Sequence, residues 1–272
     1  MAALEGLDTH RHPPGTGALI DSHAHLDDPK LADDEEGALT RARAAGVAAV
    51  VSVGADAASS RRAVEVAHRR AMVFATVGAQ PYGPAGVTEA DWEELTRLAV
   101  EARVVGIGES GLDFLRDHSP RDVQRSVFAR HLVLAAARNL PMVVHCREAY
   151  DACFEVIRAE RATPVRGVLH CFQGDAEAAR GALDLGLFLG IGGTLTFPRE
   201  DALRRVVAGL PLDRLLLETD APYLTPRPQR GRNEPAYVRH TAACLAGVLG
   251  VPLERVAEAT TANARALFGL AG

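Results

Sequence analysis

The segment Ile20-Asp21-Ser22-His23-Ala24-His25 closes a short apolar run with two imidazoles separated by one small residue. Alternation along a strand turns His23 and His25 to the same side. Four later apolar runs end in a similar way: VVGIGES carries Glu109, MVVHC carries His145, GVLHC carries His170 and LLLETD carries Asp220. Imidazole mixed with carboxylate suits Zn²⁺, Mn²⁺, Fe²⁺ or Co²⁺ and tolerates Mg²⁺ where oxygen dominates. Six such groups exceed what one catalytic ion with an open position needs, and they match two ions sharing a carboxylate. Such a pair polarises a phosphoryl or carbonyl oxygen and activates water, and Asp220 is placed to bind an ion and take the water's proton. A single histidine at a strand end is most often an ordinary polar residue at a loop junction. The joint occurrence at five strand ends is what points to metal. Asp21 and Glu218 each lie two residues before a ligand and are expected to be buried partners that orient a histidine.

These residues need a scaffold that gathers five strand ends. Apolar runs over 18–25, 47–54, 72–79, 104–110, 141–146, 165–171, 187–192 and 214–220 read as strands rich in Val, Ile and Leu. Amphipathic stretches near 31–45, 57–70, 88–102, 120–139, 147–161, 175–186 and 199–209 alternate with them, and two more follow near 234–249 and 252–268. Eight continuous apolar strands, each followed by a helix, predict a single-domain α/β fold, the (β/α)8 TIM barrel, over residues 18–272. Its chemistry belongs at the carboxyl ends of the strands. A doubly wound open sheet is the alternative, but no glycine-rich dinucleotide turn follows the first strand. Residues 1–17 show no periodicity and are expected to form a flexible N-terminal extension.

Composition removes several classes of function. A net charge of -5 is unlike a strongly basic nucleic-acid binder, so any contact with nucleic acid must be local or metal-mediated. No run is long and uncharged enough to span a bilayer. No secretory signal pattern is visible, and Cys146, Cys153, Cys171 and Cys244 form neither a metal-type pair nor a disulfide framework. A cytoplasmic protein without membrane contact is expected, and no obligate protein partner is evident. Cys146 and Cys171 follow ligand histidines by one position, and parity turns them outward into packing. Ser110 lies near the site but has no free histidine–acid pair to activate it. His68, His131 and His240, inside predicted helices, and His118, in a loop, read as structural.

The motifs DSHAHLD, GESGLDF, PMVVHCREA, GVLHCFQG, LLLETDAPYLTP, RGRNEPAYV and TTANARALFGL occur in order from Leu19 to Phe268. In this the chain resembles the TatD-type metal-dependent deoxyribonucleases of the amidohydrolase-like barrels. The resemblance implies that His23 and His25 bind the first of two divalent ions (Zn²⁺, Mn²⁺ or Mg²⁺). It makes Glu109 the bridge, gives the second ion to His145 and His170, and makes Asp220 the last ligand and base. Lys30, the one lysine, falls outside the barrel strands, which fits a glutamate bridge rather than a carboxylated lysine. The implied activity is phosphodiester hydrolysis, a 3′-5′ exonuclease acting on single-stranded DNA or 3′ ends.

One element departs from that pattern. Where the family usually has Gly-x-His-Pro, this chain reads VGAQPYG, with Gln80 in place of the histidine. Glutamine hydrogen-bonds a substrate oxygen but never becomes cationic. Gln80, Arg147 at the end of the fifth run, and Arg232 are therefore the expected substrate contacts. Arg232 belongs with Arg227 and Arg230 to an arginine-rich loop suited to phosphate. A metal-dependent hydrolase of an ester or amide bond, including an aminoacyl-tRNA deacylase-like activity, is the alternative, and a non-enzymatic scaffold is a third.

Overall fold

The computed structural model describes residues 17–83, 87–116, 118–160 and 165–270. Eight parallel strands run in sequence order around one sheet: β1 (Leu19–Ala24), β2 (Val47–Val53), β3 (Val73–Val77), β4 (Val104–Asp113), β5 (Met142–Arg147), β6 (Gly167–Leu169), β7 (Phe188–Ile191) and β8 (Leu215–Leu217). A bridge between Ala24 and Ala221 joins the last edge to the first. The Asp220 N–H donates to His23 O at 2.9 Å, and the His25 N–H donates to Ala221 O at 2.7 Å. The sheet is thus the (β/α)8 barrel that the alternation predicts. Except for Gly17, the extension expected over residues 1–17 lies outside the described residues.

The expected helices are present, with one division. The stretch near 31–45 splits into α1 (Pro29–Ala32) and α2 (Glu35–Ala44). Asp28 caps α1 by accepting the Lys30 N–H at 2.8 Å, and Pro29 begins the first turn, where a missing N–H costs nothing. Around the barrel follow α3 (Ala57–Arg69), α4 (Glu89–Leu98), α5 (Arg121–Arg138), α6 (Tyr150–Ala159), α7 (Ala176–Asp184) and α8 (Asp201–Val207); α9 (Val238–Leu249) and α10 (Leu253–Phe268) complete the chain. No single described helix is long and apolar enough to cross a membrane.

Two apolar clusters hold the barrel. The larger lies between strands and helices. The smaller gathers Ile20, Val51, Val105, Val143, Val168 and Leu216 with Leu267, Phe268 and Leu270 from the end of α10 and the residues beyond it. Val143, Val168 and Leu216 stand two residues before His145, His170 and Glu218, so this is the floor on which the polar layer rests.

A buried histidine ties the shell to the mouth. His131 of α5 accepts the Ala79 N–H on Nε2 at 3.0 Å, which leaves Nδ1 protonated and donating to Val127 O at 2.8 Å. Ser110 Oγ lies 3.1 Å from the same Nδ1, so Ser110 serves this contact rather than a nucleophilic one. Burial lowers the His131 pKa to about 4. An unfolded chain therefore takes up a proton between pH 6.5 and 4 that the native chain refuses, and stability falls as pH drops through that window. Replacing His131 by Asn is expected to flatten this slope by about one proton, read from unfolding free energy against pH. An unchanged slope would show that His131 titrates normally.

Candidate metal centre

The structure brings His23, His25, Glu109, His145, His170 and Asp220 together at the carboxyl mouth of the barrel. Glu109 is buried at the centre, and its two oxygens face different groups. Oε2 lies 3.4 Å from His23 Nε2 and 3.7 Å from His25 Nε2. Asp220 Oδ1 completes that side, 3.4 Å from His25 Nε2 and 3.7 Å from His23 Nε2. Oε1 lies 2.8 Å from His145 Nδ1 and 3.1 Å from His170 Nε2.

These distances test whether the residues fit a metal. Ligand atoms about 2.0–2.2 Å from one tetrahedral ion stand about 3.4 Å apart. The His23, His25, Glu109 and Asp220 atoms show that spacing, too long for hydrogen bonds and right for a shared cation. His23 offers a second sign: both its ring nitrogens are buried without a hydrogen-bond partner. A buried unsatisfied nitrogen costs about 1–3 kcal/mol, a penalty that a bound cation at Nε2 removes. His145, His170 and Glu109 are contracted onto one another, with His145 Nδ1 3.2 Å from His170 Nε2. The donor set fits a divalent metal centre.

Electrostatics agree with a site built for positive charge. Burial works against the Glu109 carboxylate, yet the imidazoles of His170, His145 and His23 hold its pKa well below the usual range. Burial also opposes charge on His25, but Asp220 and Glu109 outweigh it and raise that pKa to about 9. His170 is raised for the same reason, chiefly by Glu109 against its burial. His23 is lowered by burial and by His170, whose ring stacks on it at 4.0 Å. Asp220 stays ionised: burial raises it, but His25 and its neighbours bring it below the usual value.

Surrounding groups aim the ligands. His25 Nδ1 bonds Val53 O at 3.0 Å, which presents Nε2 to the centre. His145 Nε2 lies 3.2 Å from Asp113 Oδ2, and Tyr82 Oη donates to the same oxygen at 2.9 Å while standing 3.1 Å from His145 Nε2. Asp113 is reached because β4 runs three residues beyond its expected end. Neither Asp113 nor Tyr82 stood out in the sequence, although both lie inside motifs quoted above. Partners of this kind are worth about 10–100-fold in metal affinity or activity. Tyr82→Phe is therefore expected to weaken metal binding about tenfold in titration calorimetry without altering the fold, and an unchanged affinity would remove Tyr82 from the site.

Asp21 and Glu218 are both buried as expected, and Glu218 stands beside a histidine ring while Asp21 does not. Relative to β2, β1 carries a register shift between Asp21 and Ala24. Asp21 instead accepts the Thr219 N–H at 2.9 Å and the Thr219 Oγ1–H at 2.6 Å, and it meets His23 only at the backbone N–H, 3.3 Å away. It fastens β1 to the end of β8, and burial raises its pKa to about 8. Glu218 Oε1 stands 3.7 Å from His170 Nδ1 and accepts the Cys171 N–H at 2.6 Å. Gly190 makes room for it: a Cβ there would lie 2.3 Å from Glu218 Oε2. Cys171 sits past the end of β6 with φ of 47°, so strand parity does not govern it, and burial with Asp220 and Glu218 nearby raises its thiol pKa. Cys146 is buried, as parity predicts.

The expected substrate contacts are distributed unevenly. Gln80 Nε2 donates to Glu109 Oε2 at 2.7 Å, which places it inside the ligand cluster. Arg147 is exposed at the last residue of β5, two positions beyond His145 and on the same face. Arg232 points elsewhere, donating to Lys30 O at 3.0 Å and to Asp34 Oδ2 at 2.7 Å. Asn233 donates to Thr219 O at 2.8 Å and to Tyr223 O, fixing the turn that carries Asp220. Tyr223, 43% exposed, stands edge-on to His25 with ring centres 6.2 Å apart.

Comparison with known proteins gives the same centre a lineage. The sequence matches the TatD related DNase family over residues 20–269. It is 39% identical to the Bacillus subtilis protein named uncharacterized metal-dependent hydrolase YabD, covering 92% of this chain and 98% of that protein. It is 37% identical to the Klebsiella pneumoniae 3′-5′ ssDNA/RNA exonuclease TatD, covering 93% and 98%. The crystal structure of YJJV, a TatD homolog from Escherichia coli K12, superposes with a TM-score of 0.88 at 31% identity over 93% of this chain and 98% of that one. With the barrel, the mixed imidazole and carboxylate cluster and these likenesses together, the chain belongs to the TatD related DNase family of metal-dependent hydrolases.

Proposed function

We propose that this chain hydrolyses phosphodiester bonds with two divalent ions, removing nucleotides from the 3′ ends of single-stranded DNA. The observation that carries the reading is Glu109, whose Oε2 and Oε1 face two separate ligand groups. His23, His25 and Asp220 would hold one ion, and His145 and His170 the other. When bound, the ions supply Lewis acidity toward a phosphoryl oxygen and activation of water.

The residues divide the remaining work. Asp220 takes the proton from the attacking water on the carboxylate oxygen that does not face the ligand histidines; its carboxylate is ionised and its side chain is 15% exposed to the mouth. Gln80 holds Glu109 through its amide and presents the rest of that group to substrate. Arg147 meets a phosphate at the rim, and Arg232 reaches one only by exchanging its Asp34 contact. Tyr223 offers an exposed ring on which a terminal base stacks. The name of the Klebsiella pneumoniae relative supports polarity and substrate. A cytoplasmic setting is supported by four cysteines that are all free.

The test is a metal-reconstituted digest of 3′- and 5′-blocked single-stranded oligonucleotides with chelator controls. Loss of 5′-labelled full-length strand in a 3′-to-5′ ladder, abolished by chelator and by a 3′ block, is expected. An inert oligonucleotide beside a hydrolysed aminoacyl or carboxylic ester would overturn the phosphodiester reading and keep the hydrolase.

A further inference from the structure

Several arginines on this protein's surface are neutralised. Arg61, Arg130 and Arg204, for example, pair with Glu94, Glu89 and Asp201 at 2.7, 2.6 and 2.7 Å. Others form no ion pair among the described residues, and three of these, Arg199, Arg227 and Arg230, are exposed. They line one cleft of about 550 Å³ between the loops that follow β7 and β8. Three guanidinium groups lining one concavity make a local positive patch in a chain of net charge -5, and their forked donors match phosphate oxygens.

The cleft is built. Arg204 donates to Leu195 O and Phe197 O at 2.7 and 2.8 Å, holding the first loop. Thr225 Oγ1 donates to Gly231 O at 2.7 Å and closes the second. The Arg227 N–H donates to Thr196 Oγ1 at 2.8 Å and clasps the two together. Both loops leave from the carboxyl ends of their strands, and Arg227 is seven residues beyond Asp220, a span of at most about 25 Å. Glu200 also lines the cleft and leaves it cationic by two charges against the three arginines.

We propose that this cleft is a second anion site, gripping the phosphodiester backbone of the substrate strand away from the bond that is cut. The inference rests on the nuclease reading and extends it: Arg199, Arg227 and Arg230 set how strongly a strand is held, and the metal centre sets whether it is cleaved. Arg232, tied to Asp34, takes no part.

The test uses the full chain and its R199A/R227A/R230A variant. Binding of 5′-fluorescein decathymidylate is followed by anisotropy in EDTA, where no cleavage occurs, across a salt series. The variant is expected to bind at least tenfold more weakly. The slope of log affinity against log salt should fall by about 2, since each of three contacts contributes about 0.7 on a single strand. With Mn²⁺, kcat/KM for the decamer relative to bis(p-nitrophenyl) phosphate should fall tenfold or more, through KM. Equal affinity and equal salt slope overturn the proposal, as does a parallel loss on decamer and small diester. Should the wild-type chain cut neither compound, the nuclease reading fails while the anisotropy series still decides the cleft.

Discussion

Asp220→Asn is expected to lower kcat on a 3′-terminal oligonucleotide by about 10²–10⁴-fold at saturating metal while leaving both ions bound. The amide keeps an oxygen at the position of Oδ1, 3.4 Å from His25 Nε2, so coordination survives. What disappears is the ability to take a proton. Asp220 suits the role because it is the one ligand carboxylate with partial access to the mouth, whereas Glu109 is enclosed. Metal content after gel filtration and single-turnover rates are the readouts. A variant that turns over within a few-fold of wild type would move the base elsewhere.

Glu109→Gln attacks the centre itself. An amide offers one oxygen where the carboxylate offered two, so it serves one ligand group and abandons the other. The expected result is loss of at least one bound ion per chain and a fall in metal affinity of roughly 100-fold or more, beyond what a supporting partner contributes. Thermal unfolding gives an independent measure: metal raises the wild-type midpoint by mass action and should raise that of the variant much less. Two ions retained at wild-type affinity would show that Glu109 does not bridge.

Gln80 shows why a sequence pattern undershoots a site. As a lone substitution it reads as a substrate contact, because nothing local says where its amide points. The folded chain sets it 2.7 Å from Glu109 Oε2, a pairing across 29 residues that the barrel's curvature creates. Tyr82 and Asp113 went unremarked for the same reason; their link to His145 joins the loop after β3 to the far end of β4 and to β5. Arg232 went the other way, its charge already committed to Asp34.

Periodicity carried much of the rest. The eight apolar runs and the helices between them are local signals, and the six metal-capable residues sit at or near the ends of those runs. A parallel sheet wound by helices forces those ends onto one face, so the convergence of His23, His25, Glu109, His145, His170 and Asp220 was legible from the chain alone. Strand ends were less so. β6 and β8 stop after three residues each, β4 continues to Asp113, and Asp21 bonds Thr219 rather than the His23 ring.

The sequence by itself determined the elements, their order and the chemistry of the ligands, because hydrophobic rhythm and side-chain type act over a few residues. Tertiary structure alone decided which oxygen of Glu109 faces which histidine, which polar groups brace the ligands, and which arginines stay unpaired. Those outcomes depend on contacts between distant segments whose parity is reset by each bulge, turn and strand end.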